Sequence, residues 1–89
     1  MPQAPLNDNE EIFHQLQNPV FLMDLRQQMV KFAVLQLSSF QQAEDVVQEA
    51  LVSAFQHFDS FTGKAAFKTW VFAILKNKII DLIRQKSRL

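Results

Sequence analysis

The chain has no cysteine, a single glycine, and only three prolines, Pro2, Pro5 and Pro19, all within the first nineteen residues. Without cysteine there is no disulfide framework and no thiolate metal site. So little glycine and proline beyond position 19 argues against hairpins and for helices. No stretch approaches the roughly eighteen apolar residues that a membrane span needs. The opening residues Met-Pro-Gln-Ala-Pro, followed by acidic ones, lack the basic and apolar segments of a secretion signal, so the cytoplasm is the expected location. There are two histidines, His14 and His57, far apart and without a partner at ligand spacing. They read as surface or helix-end residues rather than metal ligands. Gly63 alone cannot form a phosphate-cradling loop. The carboxylates fall on what reads as an exposed helical ridge, not in a buried acid–base pair. No catalytic residue, metal or cofactor is therefore expected.

What is present is an apolar content of 48% that includes nine phenylalanines, enough to fold a chain of 89 residues around one modest core. The formal net charge of zero hides two opposite halves. From Asp59 onward, seven cations (Lys64, Lys68, Lys76, Lys78, Arg84, Lys86 and Arg88) face two carboxylates, a balance of +5. Residues 1–58 carry two cations against seven carboxylates, a balance of −5. A basic segment interleaved with aromatics suits a polyanion such as nucleic acid, and the acidic half suits a different partner, a protein. The bland alternative is two solvated faces of a helical bundle.

The apolar spacing predicts an all-α bundle of three long helices plus a short N-terminal one. Residues 1–6 form a tail, and residues 7–89 the domain. Asn7 with Glu10 resembles a capping pair for a short helix carrying Ile12, Phe13 and Leu16. Asn18-Pro19 ends it and starts the next, with Asn18 as cap. That helix runs to about Leu37 with a stripe of Phe21, Leu25, Met29 and Phe32, widened by Val30, Val34 and Leu37. Ser39 with Gln42 marks the next start. Ala43, Val46, Val47, Ala50, Leu51, Ala54, Phe55 and Phe58 then follow helical spacing, and Asp45, Gln48, Glu49 and Val52 form the opposite ridge. Asp59–Lys64 is the one loop with turn chemistry. The last helix is expected from about Ala65 to Lys86. Phe67, Val71, Ile74, Leu75, Leu82 and Ile83 point to the core, and Thr69, Ala73, Lys76, Asn77, Ile80 and Arg84 to another face.

The ordered set Ala43-Glu44-Asp45, Gln48-Glu49, Phe58, Phe61, Phe67-Lys68-Thr69-Trp70-Val71, Ile74, Asn77, Asp81 and Arg84 resembles region 2 of bacterial sigma factors of the extracytoplasmic-function type. The match is strong from Ala43 to Arg88, and the preceding helix fits in its apolar spacing. The resemblance implies that Asp45, Gln48, Glu49 and Val52 dock on a coiled coil of the largest subunit of core RNA polymerase. It implies that the loop Asp59–Ala66 captures a base flipped from the −10 promoter element, through Phe61, Thr62, Gly63 and Lys64. It also implies that Lys68, Ala73, Lys76, Asn77, Ile80 and Arg84 of the last helix lie on −10 DNA, with Asn77 lining the base pocket. An anti-sigma protein is a further implied partner.

Two departures from that pattern matter. The family's second helical domain, which reads the −35 element, has no counterpart in these residues, so the chain is expected to be one domain of a longer factor, the favoured reading, or else a natural short form. Thr62 stands where many relatives carry Arg, leaving Lys64 as the substitute cation. Phe61 has two readings, a stacking ring for a base or a plug that seats the loop on the core. Trp70 reads mainly as a core anchor, and Lys86 and Arg88 as cations complementing the helix dipole. The alternative function is a small helical protein-interaction module or adaptor with no nucleic-acid role.

Overall fold

The computed structural model describes residues 14–62 and 66–87. Residues 14–16 are helical and close with turn bonds from the Gln17 and Asn18 N–H groups to the carbonyls of His14 and Gln15. The expected tail and the Asn7–Glu10 pair, with Ile12 and Phe13, lie outside the described residues. So do Gly63, Lys64, Ala65 and Arg88.

Three long helices follow: α1 (Pro19–Leu37), α2 (Phe40–Gln56) and α3 (Phe67–Ser87). A 3₁₀ turn, Phe58–Ser60, lies between α2 and α3. Each boundary has a local cause. Asn18 Oδ1 accepts from the Val20 N–H at 2.9 Å, and Pro19 occupies the first helical position, where its missing N–H costs nothing. Helix α1 stops at Ser38, whose φ of 55° and ψ of 30° put it in the left-handed region while its N–H bonds the Val34 carbonyl at 2.8 Å. Ser39 returns to extended geometry, and its Oγ caps α2 by accepting from the Gln42 N–H at 3.2 Å. The Gln42 side chain accepts from Lys86 Nζ of α3 and so joins two helices. Helix α3 begins two residues later than the spacing suggested, with the Ala66 carbonyl taking the Trp70 N–H at 3.1 Å.

The core is one apolar cluster. Helix α1 supplies Leu25, Met29, Ala33 and Leu37; α2 supplies Ala43, Val46, Val47, Ala50 and Ala54; α3 supplies Phe67, Val71, Leu75 and Ile79; and the loop supplies Phe61. Helix α2 is central, packing against both α1 and α3. Three of its five buried residues are alanines, which let both neighbours approach closely. No polar or charged side chain is buried among the described residues. The one ion pair there, Arg26 with Glu44 at 3.5 Å between α1 and α2, is about 40% exposed on both sides. Solvent screening limits such a pair to well under 1 kcal/mol.

Two residues depart from the expected stripes. Phe55 and Ile83 are 48% and 43% exposed rather than core. Each sits on the outer margin of its stripe, where helical spacing continues but no neighbouring helix reaches. Ile74 and Leu82, at the other margins, are half-buried against the core.

The left-handed Ser38 yields a stability test. A residue with a Cβ is disfavoured there by about 1 kcal/mol, and glycine is not. Ser38→Gly should stabilise the chain by about 0.3–0.5 kcal/mol in urea denaturation, the relief slightly exceeding the added freedom of the unfolded chain. A lower midpoint than the parent's would refute this account of the turn.

Candidate protein-docking and nucleic-acid surfaces

The α2 ridge is built as the spacing suggested. Asp45, Gln48 and Glu49 are exposed, and Val52 keeps 43% of its surface in solvent. These side chains project from the arc of α2 that neither α1 nor α3 covers. Beside them runs a groove of about 490 Å³ between α2 and α3, walled by Gln42, Asp45, Val46 and Glu49 on one side and Lys78, Asp81, Leu82 and Gln85 on the other. A second depression of about 380 Å³ continues past Gln48, Val52, Ser53, Gln56 and His57, and Glu49 and Lys78 border both. His57 is the C-cap residue of α2, exposed, with Nδ1 at 2.9 Å from the Ser53 carbonyl oxygen. It is a helix-end histidine, as its isolation in the sequence suggested.

Sequence reasoning missed the placement of Lys78, Asp81 and Gln85 along this groove. The charge balance by halves placed Lys78 with the other cations of the basic segment. The fold instead turns it toward the acidic ridge, and only the spacing 78, 81, 85 marks the shared edge of α3. The surface beside the ridge is therefore of mixed sign.

Thr69, Ala73, Lys76, Asn77, Ile80 and Arg84 are all exposed on α3, Ile80 by 44%. They share a helix face directed away from the core residues Val71, Leu75 and Ile79. Lys68 is also exposed, its Nζ 5.9 Å from the Phe72 ring centroid, and Lys76 Nζ lies 5.9 Å from that of Phe32. Of the loop residues expected to contact a base, Thr62 is exposed, and Gly63 and Lys64 lie outside the described residues.

Phe61 takes the second of its two readings. It is 3% exposed and belongs to an aromatic cluster at the α2–α3 junction. Its ring centroid lies 5.2 Å from that of Trp70, 5.6 Å from Phe67 and 6.0 Å from Phe58. Phe67 also meets Trp70 at 5.8 Å and Phe58 at 6.2 Å. Trp70 is half-buried in this cluster, an anchor as expected. The physical reason is apolar area: a large ring beside three others gains more from burial and edge-to-face contact than from exposure in a loop. Asn77 lies two helical turns beyond Trp70, about 10 Å along the axis.

Comparison with known sequences decides the family. Residues 21–89 match the family described as Sigma-70 region 2. The chain belongs to that family. It is 57% identical over 67 residues to a probable RNA polymerase sigma factor of Haemophilus influenzae, covering 75% of this chain and 34% of that protein. It is 41% identical over 51 residues to the ECF RNA polymerase sigma factor SigW of Bacillus subtilis, covering 57% of this chain and 27% of SigW. It is 52% identical over 44 residues to the ECF RNA polymerase sigma-E factor of Escherichia coli K12, covering 49% of this chain and 23% of that factor. The chain thus spans about a third or less of the length of these relatives. No solved structure matches it. The all-α architecture and the family expected from the residues are both upheld.

Removing the Phe61 ring tests its place in this sigma-70 region 2 domain. Phe61→Ala should cost about 3–5 kcal/mol by leaving a cavity among three rings. Asn77→Ala, at an exposed position, should stay within about 0.5 kcal/mol of the parent. Equal stability of the two variants in urea titration would contradict the buried plug.

Proposed function

We propose that this domain acts by binding, as the part of a cytoplasmic sigma factor that joins core RNA polymerase and opens the −10 promoter element at transcription initiation. The observation that carries the reading is a pair of separate exposed surfaces on a chain of the sigma-70 region 2 family. One is the ridge Asp45, Gln48, Glu49 and Val52, and the other the α3 face with Lys76, Asn77, Ile80 and Arg84. Family membership favours this over a helical adaptor with no nucleic-acid role.

On this reading, the ridge meets the coiled coil of the polymerase's largest subunit, with Glu49 and Asp45 facing cations of the partner and Val52 supplying an apolar contact. The α3 face meets single-stranded promoter DNA. A base cannot be read on its pairing edge inside a duplex, so it must be unstacked at a cost of a few kcal/mol. Asn77, with both donors and an acceptor, suits the edge of a flipped base. Lys68, Lys76 and Arg84 hold phosphates and fix register without specifying sequence. Ala73 and Ile80 allow close approach and apolar contact. Thr62, Gly63 and Lys64 contact the flipped base on this reading, next to Phe61, which is seated in the aromatic cluster. An anti-sigma protein able to cover either surface would hold the factor inactive.

Capture of core RNA polymerase tests the docking ridge. The parent chain should retain polymerase, and Glu49→Lys should lose it while keeping its helical circular dichroism, because Glu49 is exposed. A folded parent that fails to capture polymerase would sink the reading. For the polymerase-bound chain, strand affinity should fall steeply with salt. Arg84→Gln should lower that log–log slope by about one if Arg84 holds one phosphate. An unchanged slope would remove Arg84 from the DNA face.

A further inference from the structure

The seam between α1 and α3 holds two aromatic rings that neither surface explains. Phe32 of α1 and Phe72 of α3 meet edge to face, their ring centroids 5.7 Å apart and their planes at 75°. Both rings are only partly buried. An ammonium group stands near each: Lys68 at 5.9 Å from the Phe72 centroid and Lys76 at 5.9 Å from the Phe32 centroid. The Lys68–Phe72 contact lies within one helix turn. The Lys76–Phe32 contact does not, because it joins α3 to α1 and exists only in the folded chain.

Partly exposed rings flanked by cations are what single-stranded nucleic acid binds. Bases stack on aromatic faces without regard to sequence, and the cations follow the phosphates. A lysine over a ring at an exposed site is held weakly. A base can therefore take its place on the ring, and the released ammonium can then pair with the phosphate of the same strand. Lys76 links this seam to the α3 face, since Asn77 and Ile80 are its neighbours on that helix. The seam is thus continuous with the surface assigned to the strand and extends it onto α1.

We propose that Phe32, Phe72, Lys68 and Lys76 form a second subsite for single-stranded nucleic acid, seating nucleotides next to those held at Asn77. It rests on the DNA-binding reading given above, and it makes α1 part of the strand path. Its chemistry is stacking and phosphate pairing, so it adds affinity and not base selectivity. A seam that only packs two helices would need the rings' apolar bulk and not their π faces.

That difference sets the experiment. The chain bound to core polymerase is titrated with fluorescent single strands carrying the −10 sequence or a scrambled one. Phe32→Leu and Phe72→Leu, which keep apolar bulk, should each weaken both strands about tenfold, the loss of one stacked base. The ratio between the two strands should stay at the parent value. Unchanged affinity in both leucine variants, with Arg84→Gln still weakening binding, would overturn the seam subsite and leave the α3 reading standing. Indifference to all three variants would overturn both. A second measurement needs no variant: 5-iodouracil placed along the strand should crosslink to Phe32 or Phe72 of the parent chain. Crosslinks confined to residues 77–84 would overturn the subsite.

Discussion

Everything in this domain hangs on the central helix α2, which must touch both of its neighbours at once. A helix flanked on two sides has little circumference left, and α2 meets the demand with alanines at 43, 50 and 54, each fully buried. Small residues let α1 and α3 close in, so larger side chains such as Met29 and Leu75 fill the space between helices. Overpacking here would push apart two interfaces rather than one. The same crowding defines the exterior. The one wide free arc of α2 is the ridge Asp45, Gln48, Glu49 and Val52.

The two proposed binding surfaces use different chemistry because they are made by different helices. The α2 ridge lies beside a groove of mixed sign, with Lys78 and Asp81 across from Asp45 and Glu49. The α3 face is basic and small-featured, and it is turned away from the core helices. The apolar core lies between and contributes no charge to either. Substitutions on one surface can therefore alter one partner's affinity without passing through the packing that supports the other.

Much of this was legible in the sequence, and particular residues show where legibility ended. Asn18-Pro19 and Ser39 with Gln42 announced helix boundaries because capping is local chemistry, settled within four residues. The α2 stripe and ridge were readable because both follow one period. Phe55 and Ile83 were not, since periodicity gives a stripe's direction but not how far a neighbour extends over its margin. Lys78 was misplaced by a charge count that follows chain order and not helix face. Phe61 stayed ambiguous because a loop residue has no period. Only the meeting of four rings from three separate segments decides it. The α1–α3 seam was invisible for a related reason, as Phe32 and Lys76 come together solely through tertiary packing.

A core without polar side chains among the described residues carries a consequence for how such domains diversify. Its packing makes no demand on any charged side chain, and the Arg26–Glu44 pair lies at the periphery. The outer faces of α2 and α3 are thus free to drift while the scaffold stays put. A duplicated copy of this domain can change a handful of surface residues with no compensating change inside. One interior, held constant by packing alone, can support a whole repertoire of regulators.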